Sequence, residues 1–99
     1  MKIIALEKEV EGKTAEDFAP HLNAEALKVW EYQKEGFIRE IYFRSDQKSA
    51  VLVLEAETVD EAKKTLDRLP LVMEKLITFE LIPLKAYDGF ERLFALKES

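Results

Sequence analysis

Two short runs, Ile3-Ile4-Ala5-Leu6 and Ala50-Val51-Leu52-Val53-Leu54, are apolar at every position, and they limit the folds open to this chain more than any other feature. Successive residues of a strand point to opposite faces of its sheet, so a sheet with one wet face shows apolar-polar alternation. Neither run alternates. Both therefore read as central strands that need burial on two faces, and the rest of the chain must supply the cover.

The pattern around them divides into six elements and a tail. Lys2 to Val10, rich in Ile, Leu and Val, reads as a first strand that ends at the turn Glu11-Gly12-Lys13. From Thr14 the period changes: Phe18, Leu22, Ala26, Val29 and Gln33 recur at helical spacing, with Glu25, Lys28, Glu31 and Lys34 largely outside the stripe. Pro20 cannot occupy a regular helix interior, so a short first turn from Ala15 to Ala19 breaks there. Asn23 is the expected cap of the main helix and Gly36 its stop. Phe37 to Arg44 and Ser49 to Glu57 are aromatic or β-branched runs joined by Ser45-Asp46-Gln47-Lys48, which reads as a hairpin. Thr58 and Glu61 stand at capping-box spacing ahead of Ala62, Leu66 and Leu69, the apolar positions of a second helix before Pro70. Leu76 to Leu84 is a fourth strand with Pro83 at its end, followed by an aromatic-bearing tail, Lys85 to Phe94. The order β-α-β-β-α-β predicts one α+β domain over residues 1–99 with a ferredoxin-like arrangement, an antiparallel four-stranded sheet carrying both helices on one face.

Two helices cover one face only. The economical cover for the other is the same face of a second copy, which closes two sheets into a twofold α/β barrel, whereas a monomer would present a large apolar patch. A homodimer or higher homo-oligomer is the expected assembly, with the tail, residues 85–99, packed on the partner or on its own sheet. Composition argues against other macromolecules. Asp and Glu number 20 against 15 Lys and Arg, and a net charge of -5 repels nucleic-acid phosphates and anionic lipid. There is no cysteine, which excludes disulfides, thiolate metal sites and a cysteine nucleophile. Charge interrupts the first apolar residues too soon for a secretory segment and no later run approaches bilayer length, so a cytoplasmic location is expected. With only 3 glycines there is no phosphate loop, and no nucleophile elbow is present, so nucleotide hydrolysis and acyl transfer are not expected.

Three carboxylates interrupt apolar strands: Glu7, Glu55 and Glu80. By parity Glu7 shares a face with Ile3 and Ala5, Glu55 with Val51 and Val53, and Glu80 with Thr78 and Ile82. If those sets form the second face, a paired-sheet interior holds three acids, each needing a donor or a raised pKa of the kind that suits proton transfer. Arg39, Tyr42 and Arg44 are the candidate donors. Hairpin register decides which of them face the acids, and Arg39 and Tyr42 cannot both point inward in a regular strand. The alternative is that the acids lie half wet near strand ends in cross-strand ion pairs. Glu55, preceded by four apolar residues in a central strand, is the strongest candidate. His21, the only histidine, follows Pro20 at the helix start and lacks metal-ligand spacing, so a surface role is expected and no metal site. Trp30, Tyr32, Phe37, Phe43 and Phe79 serve equally as core or as the lining of an apolar pocket between helices and sheet.

The stretch Val29-Trp30-Glu31-Tyr32-Gln33-Lys34-Glu35-Gly36-Phe37-Ile38-Arg39-Glu40, with Arg44-Ser45-Asp46, Val51-Leu52-Val53-Leu54-Glu55-Ala56-Glu57, Glu61-Ala62, Leu69-Pro70-Leu71-Val72 and Ile82-Pro83-Leu84, resembles muconolactone-isomerase-like proteins of the dimeric α/β-barrel superfamily. The resemblance runs from Val29 nearly to the end, with Leu69-Pro70-Leu71 its most recognisable part, and leaves His21 outside it. It implies the same fold and a small-molecule enzyme that shifts a double bond in an unsaturated lactone or organic acid by proton removal and return, with no cofactor. Glu55, Arg39 and Tyr42 are then the expected catalytic set, and Arg44, Glu80 and Trp30 the expected substrate contacts. The other class open to the chain is a noncatalytic ligand-binding or scaffold module, since fold alone does not fix chemistry.

Overall fold

The computed structural model describes residues 1–95, so residues 96–99 of the expected tail lie outside the described residues. The elements are β1 (Lys2–Glu9), α1 (Ala15–Phe18), a 3₁₀ turn over Ala19–His21, α2 (Leu22–Glu35), β2 (Ile38–Phe43), β3 (Ala50–Glu55), α3 (Val59–Leu66), α4 (Pro70–Met73), β4 (Ile77–Pro83) and a second 3₁₀ turn over Gly89–Leu93. The strands form one antiparallel sheet in the order β2-β3-β1-β4, so the two unalternating runs occupy its centre, as their pattern requires. This is the expected α+β, ferredoxin-like arrangement. Among the described residues no helix is long and apolar enough to cross a membrane.

Register assigns the faces. Ile3 opposes Leu54 while Ala5 opposes Leu52 and Leu81, and these side chains enter the core beneath α2 and α3 together with Ile38, Leu66 and Leu69. Ile4, Leu6, Val51, Val53 and Ile82 share the opposite face, where each remains partly exposed. Tyr32 of α2 is buried among core residues, meets Phe37 edge-to-face at 5.3 Å and donates its hydroxyl hydrogen to the Thr65 carbonyl at 2.8 Å. An aromatic ring thus fastens α2 to α3 without leaving a buried polar atom unpaired.

Local signals set the ends of these elements. Gly36 terminates α2 at φ 89°, a left-handed conformation that glycine adopts without Cβ strain. Pro20 falls in the 3₁₀ turn, and α2 starts at Leu22 with His21 as its N-cap, so the expected cap at Asn23 is displaced by two residues. The Pro20 turn leads directly into the helix, leaving Asn23 inside its first turn. Pro70 ends no helix; it begins α4 at the first position, where its missing N–H costs nothing. Thr58 caps α3 as expected, its hydroxyl oxygen accepting from the Glu61 N–H at 3.0 Å. Thr58→Ala is expected to lower the unfolding free energy by about 1 kcal/mol, read as a shift of the urea midpoint with an unchanged slope.

Candidate functional site

Between α2 and the sheet, at the end where β1 stops and β3 begins, lies a cavity of about 610 Å³. Its floor is Glu7, Ala50, Leu52 and Phe79, its roof the face of α2 that carries Leu22, Glu25, Ala26, Val29, Trp30 and Gln33, and its side wall Leu69 and Leu71. The roof residues recur at intervals of three and four, so one helical face lines the space. Ala26 and Ala50 are too small to fill it. Phe18, Phe43, Lys13 and Lys48 surround the mouth.

Two carboxylates enter this mostly apolar space from opposite walls. Glu7 accepts a hydrogen bond from the Ala50 N–H at 2.7 Å, and Glu25 one from the Leu71 N–H at 2.9 Å. Burial raises the pKa of Glu7; the Ala50 N–H opposes that shift and neighbouring Glu9 adds to it. Burial likewise raises Glu25, opposed by the Leu71 N–H and reinforced by the negative charge of Glu7. Desolvation outweighs a single donor at each, and the charge of Glu7 adds to the rise at Glu25. Each group is a carboxyl poised to take or release a proton next to an apolar ligand space.

The candidates expected from sequence fall in different places. The three strand acids do not share a face: Glu7 lies on the helix side with Ile3 and Ala5, whereas Glu55 and Glu80 lie on the open face. Glu55 receives the N-terminal ammonium at 2.6 Å, which holds its carboxyl below the usual range, opposite to the rise expected for a buried acid. Glu80 meets Lys8 at 3.3 Å. Tyr42 opposes Val51 on the open face and donates its hydroxyl hydrogen to Glu40 at 2.7 Å. A bulge between Ile38 and Glu40 leaves Arg39 as the extra residue, its guanidinium donating to the Gly36 carbonyl at 2.6 Å. Arg44 is taken up by Asp46 through two contacts at 2.6 and 2.9 Å. None of Glu55, Glu80, Tyr42, Arg39 and Arg44 lines the cavity, although the charge of Arg39 adds to the lowering of the Glu55 carboxyl.

Trp30 is the exception: it lines the cavity, more than half exposed, with the Lys34 ammonium 4.2 Å from its ring. The sequence pattern set Glu25 largely outside the helical stripe, and it grouped Glu7 with Ile3 and Ala5, a set that faces the helices and not the open side. The missed signal for Glu25 was its spacing of three from Leu22 and four from Val29, which sets it on the inner face of α2. His21 lies 3.9 Å from Glu74 outside the cavity. Among the described residues no cluster of histidine and acidic side chains could hold a metal ion.

No protein-family model matches the chain, and no curated protein sequence matches it. Solved structures do. A 5-chloro-2-hydroxyhydroquinone dehydrochlorinase from Burkholderia phenoliruptrix AC1100, in complex with 2,5-dihydroxybenzoquinone, is similar at a TM-score of 0.70 and 15% identity, over 90% of this chain and 98% of that one. A muconolactone isomerase is similar at a TM-score of 0.70 and 18% identity, over 90% of this chain and 93% of that one. The chain therefore has a muconolactone-isomerase-like fold; at such identities the likeness concerns architecture alone.

Proposed function

We propose, from a muconolactone-isomerase-like fold that encloses two half-buried acids, that this protein is a cofactor-independent enzyme moving protons on a small unsaturated carbonyl compound, a lactone or organic acid. The observation that carries this reading is the entry of Glu7 and Glu25 into one apolar cavity, both with raised pKa. In a coupled pair, the member that holds the proton acts as acid and the ionised member as base. A substrate C–H next to a carbonyl loses its proton to the base while the acid returns one elsewhere on the conjugated system, so the double bond moves and the pair ends with the same total charge. Trp30 and Phe79 offer faces against which a flat ring can lie. A cavity of about 610 Å³ falls within the roughly 300–1,000 Å³ usual for small-ligand sites.

Glu55, Arg39, Tyr42, Arg44 and Glu80 are assigned no proton transfer in a single chain. We place the open face, with Ile4, Leu6, Val51 and Val53 flanked by Tyr42, Glu55 and Glu80, at a contact with the sheet of a second copy, where those polar groups would sit within or beside a closed barrel. The reading is tested by incubating the full chain in D2O with a panel of small lactones and unsaturated acids and following deuterium incorporation by NMR. Exchange that disappears when Glu7 and Glu25 are both replaced by glutamine supports it. Binding without exchange overturns the enzyme and leaves a noncatalytic carrier. Exchange that survives both substitutions moves the chemistry elsewhere.

A further inference from the structure

The strand β2 forms one edge of the sheet, and Tyr42 and Phe43 stand on it 58% and 76% exposed. Backbone direction along this edge follows from two hydrogen bonds. The Arg44 N–H donates to the Ser49 carbonyl at 2.9 Å, across the hairpin, whereas the Ala50 N–H turns away from β2 to the Glu7 carboxylate at 2.7 Å. Antiparallel strands alternate bonded and unbonded pairs, so Glu40 and Tyr42, opposite Val53 and Val51, direct their backbone groups inward to β3. Ile41 and Phe43 direct theirs outward, past the last strand. The bulge at Arg39 ends the regular stretch, which leaves Glu40 to Arg44 as a straight edge.

Side chains alternate along the same stretch. Ile41, opposite Leu52, and Phe43, opposite Ala50, lie on the helix side, while Glu40, Tyr42 and Arg44 lie on the open face. An edge with exposed aromatic side chains and unpaired backbone groups is a template for another strand, and proteins commonly guard such edges with lysine or proline. Neither occurs between Glu40 and Arg44, and the two charges that do occur are opposite in sign.

We propose that β2 pairs antiparallel with β2 of a second copy of this chain about a twofold axis at Tyr42, joining two sheets edge to edge. One register satisfies every group at once. With Tyr42 opposite its own counterpart, Ile41 of each copy faces Phe43 of the other. These are the residues whose backbone groups point outward, so each such pair exchanges two N–H to carbonyl bonds. The same register brings the Ile41 and Phe43 side chains together on the helix side and sets Glu40 across from Arg44, twice, on the open face. Arg44 holds Asp46 through Nε and Nη2, which leaves Nη1 to donate to the Glu40 carboxylate of the second copy. Sliding the strands by two residues destroys both ion pairs, setting Glu40 against Tyr42 in one direction and against Asp46 in the other. This self-complementary charge selects a second copy as the occupant. The axis stands perpendicular to the sheet, so both open faces remain on one side, and edge pairing can coexist with face-to-face pairing of copies.

The test is the mass of the full chain, read by native mass spectrometry and sedimentation at low ionic strength. Glu40→Arg alone sets like charge against like at both positions, as does Arg44→Glu alone, and each variant is expected to show half the native mass. Mixing the two variants puts opposite charges across from each other at both positions, so the native mass should return as a species holding both chains in equal number. Phe43→Pro removes an N–H that points away from β3, so it should also halve the mass while leaving circular dichroism unchanged. The three substituted side chains are all exposed, so each variant is expected to fold. Variants that keep the native mass would mean that the edge is unpaired and other contacts hold the assembly. Halved variants that mixing does not restore would mean that copies meet in a different register. Either result overturns the proposal. No readout depends on turnover or on the cavity acids, so failure here and failure of the proton-transfer reading are distinguishable.

Discussion

Leu54→Ala is expected to lower the unfolding free energy by about 3 kcal/mol and the melting temperature by roughly 12–20 °C. Leu54 is fully buried in β3, opposite Ile3 of β1 on one side and Ile38 of the edge strand β2 on the other, so its side chain stands where these three strands meet the helices. Removing three carbons there forfeits both their transfer from water and their contacts with Ile3 and Ile38, and strands held by cross-strand hydrogen bonds cannot close the space. Urea unfolding followed by circular dichroism measures the loss. Val53→Ala, one residue away but on the open face, supplies the contrast: in a monomer its cost should be well below 1.5 kcal/mol, so a cost near that of Leu54→Ala that grows with protein concentration would place Val53 within an interface.

Glu7→Gln and Glu25→Gln are each expected to slow proton exchange on a bound substrate by about 10²–10⁴-fold, with substrate affinity changed far less. The amide keeps the shape of the carboxylate and an oxygen that can still accept from the Ala50 or Leu71 N–H, but it cannot exchange a proton at useful rates. The same substitutions carry a stability signature of defined sign. Burial holds the folded-state pKa of each carboxyl above its ordinary value, so folding favours its neutral form. Its favourable contribution is fully present below the unfolded pKa and is lost as pH rises through the raised folded value. Glutamine at either position should therefore stabilise the protein at pH 7 relative to wild type and make no such difference at pH 4. Melting curves at the two pH values check this. A wild type that is the more stable at pH 7 would mean that the carboxylates are satisfied as ions, and the acid-base pair would lose its physical basis.

The candidate site was legible only in outline. Helical spacing located α2 and allowed either core or an apolar pocket beneath it, and Trp30 lines the cavity that lies there. Glu55 stood out because four apolar residues precede it, but that run spans two faces, and Glu55 belongs to the face turned away from the helices. Its position at a strand end also brings it to the N-terminal ammonium, a contact 54 residues distant in sequence. Arg39 and Tyr42 could not be assigned a face because the inserted residue of the β2 bulge reverses the parity of everything on one side of it.

Patterns that depend on near neighbours were written in the chain itself: four strands and two main helices in β-α-β-β-α-β order, the stop at Gly36, the cap at Thr58, and a sheet with apolar side chains on both faces. These follow from backbone sterics, side-chain periodicity and local hydrogen bonding, each of which acts over a few residues. Only the tertiary structure decided which face the helices cover, where the bulge falls, that Glu7 and Glu25 meet across one cavity, and that Glu55, Arg39 and Arg44 are already engaged elsewhere. Those outcomes depend on groups tens of residues apart arriving at the same place, where desolvation and charge act through space, and a one-residue change of register is enough to exchange the two faces of a strand.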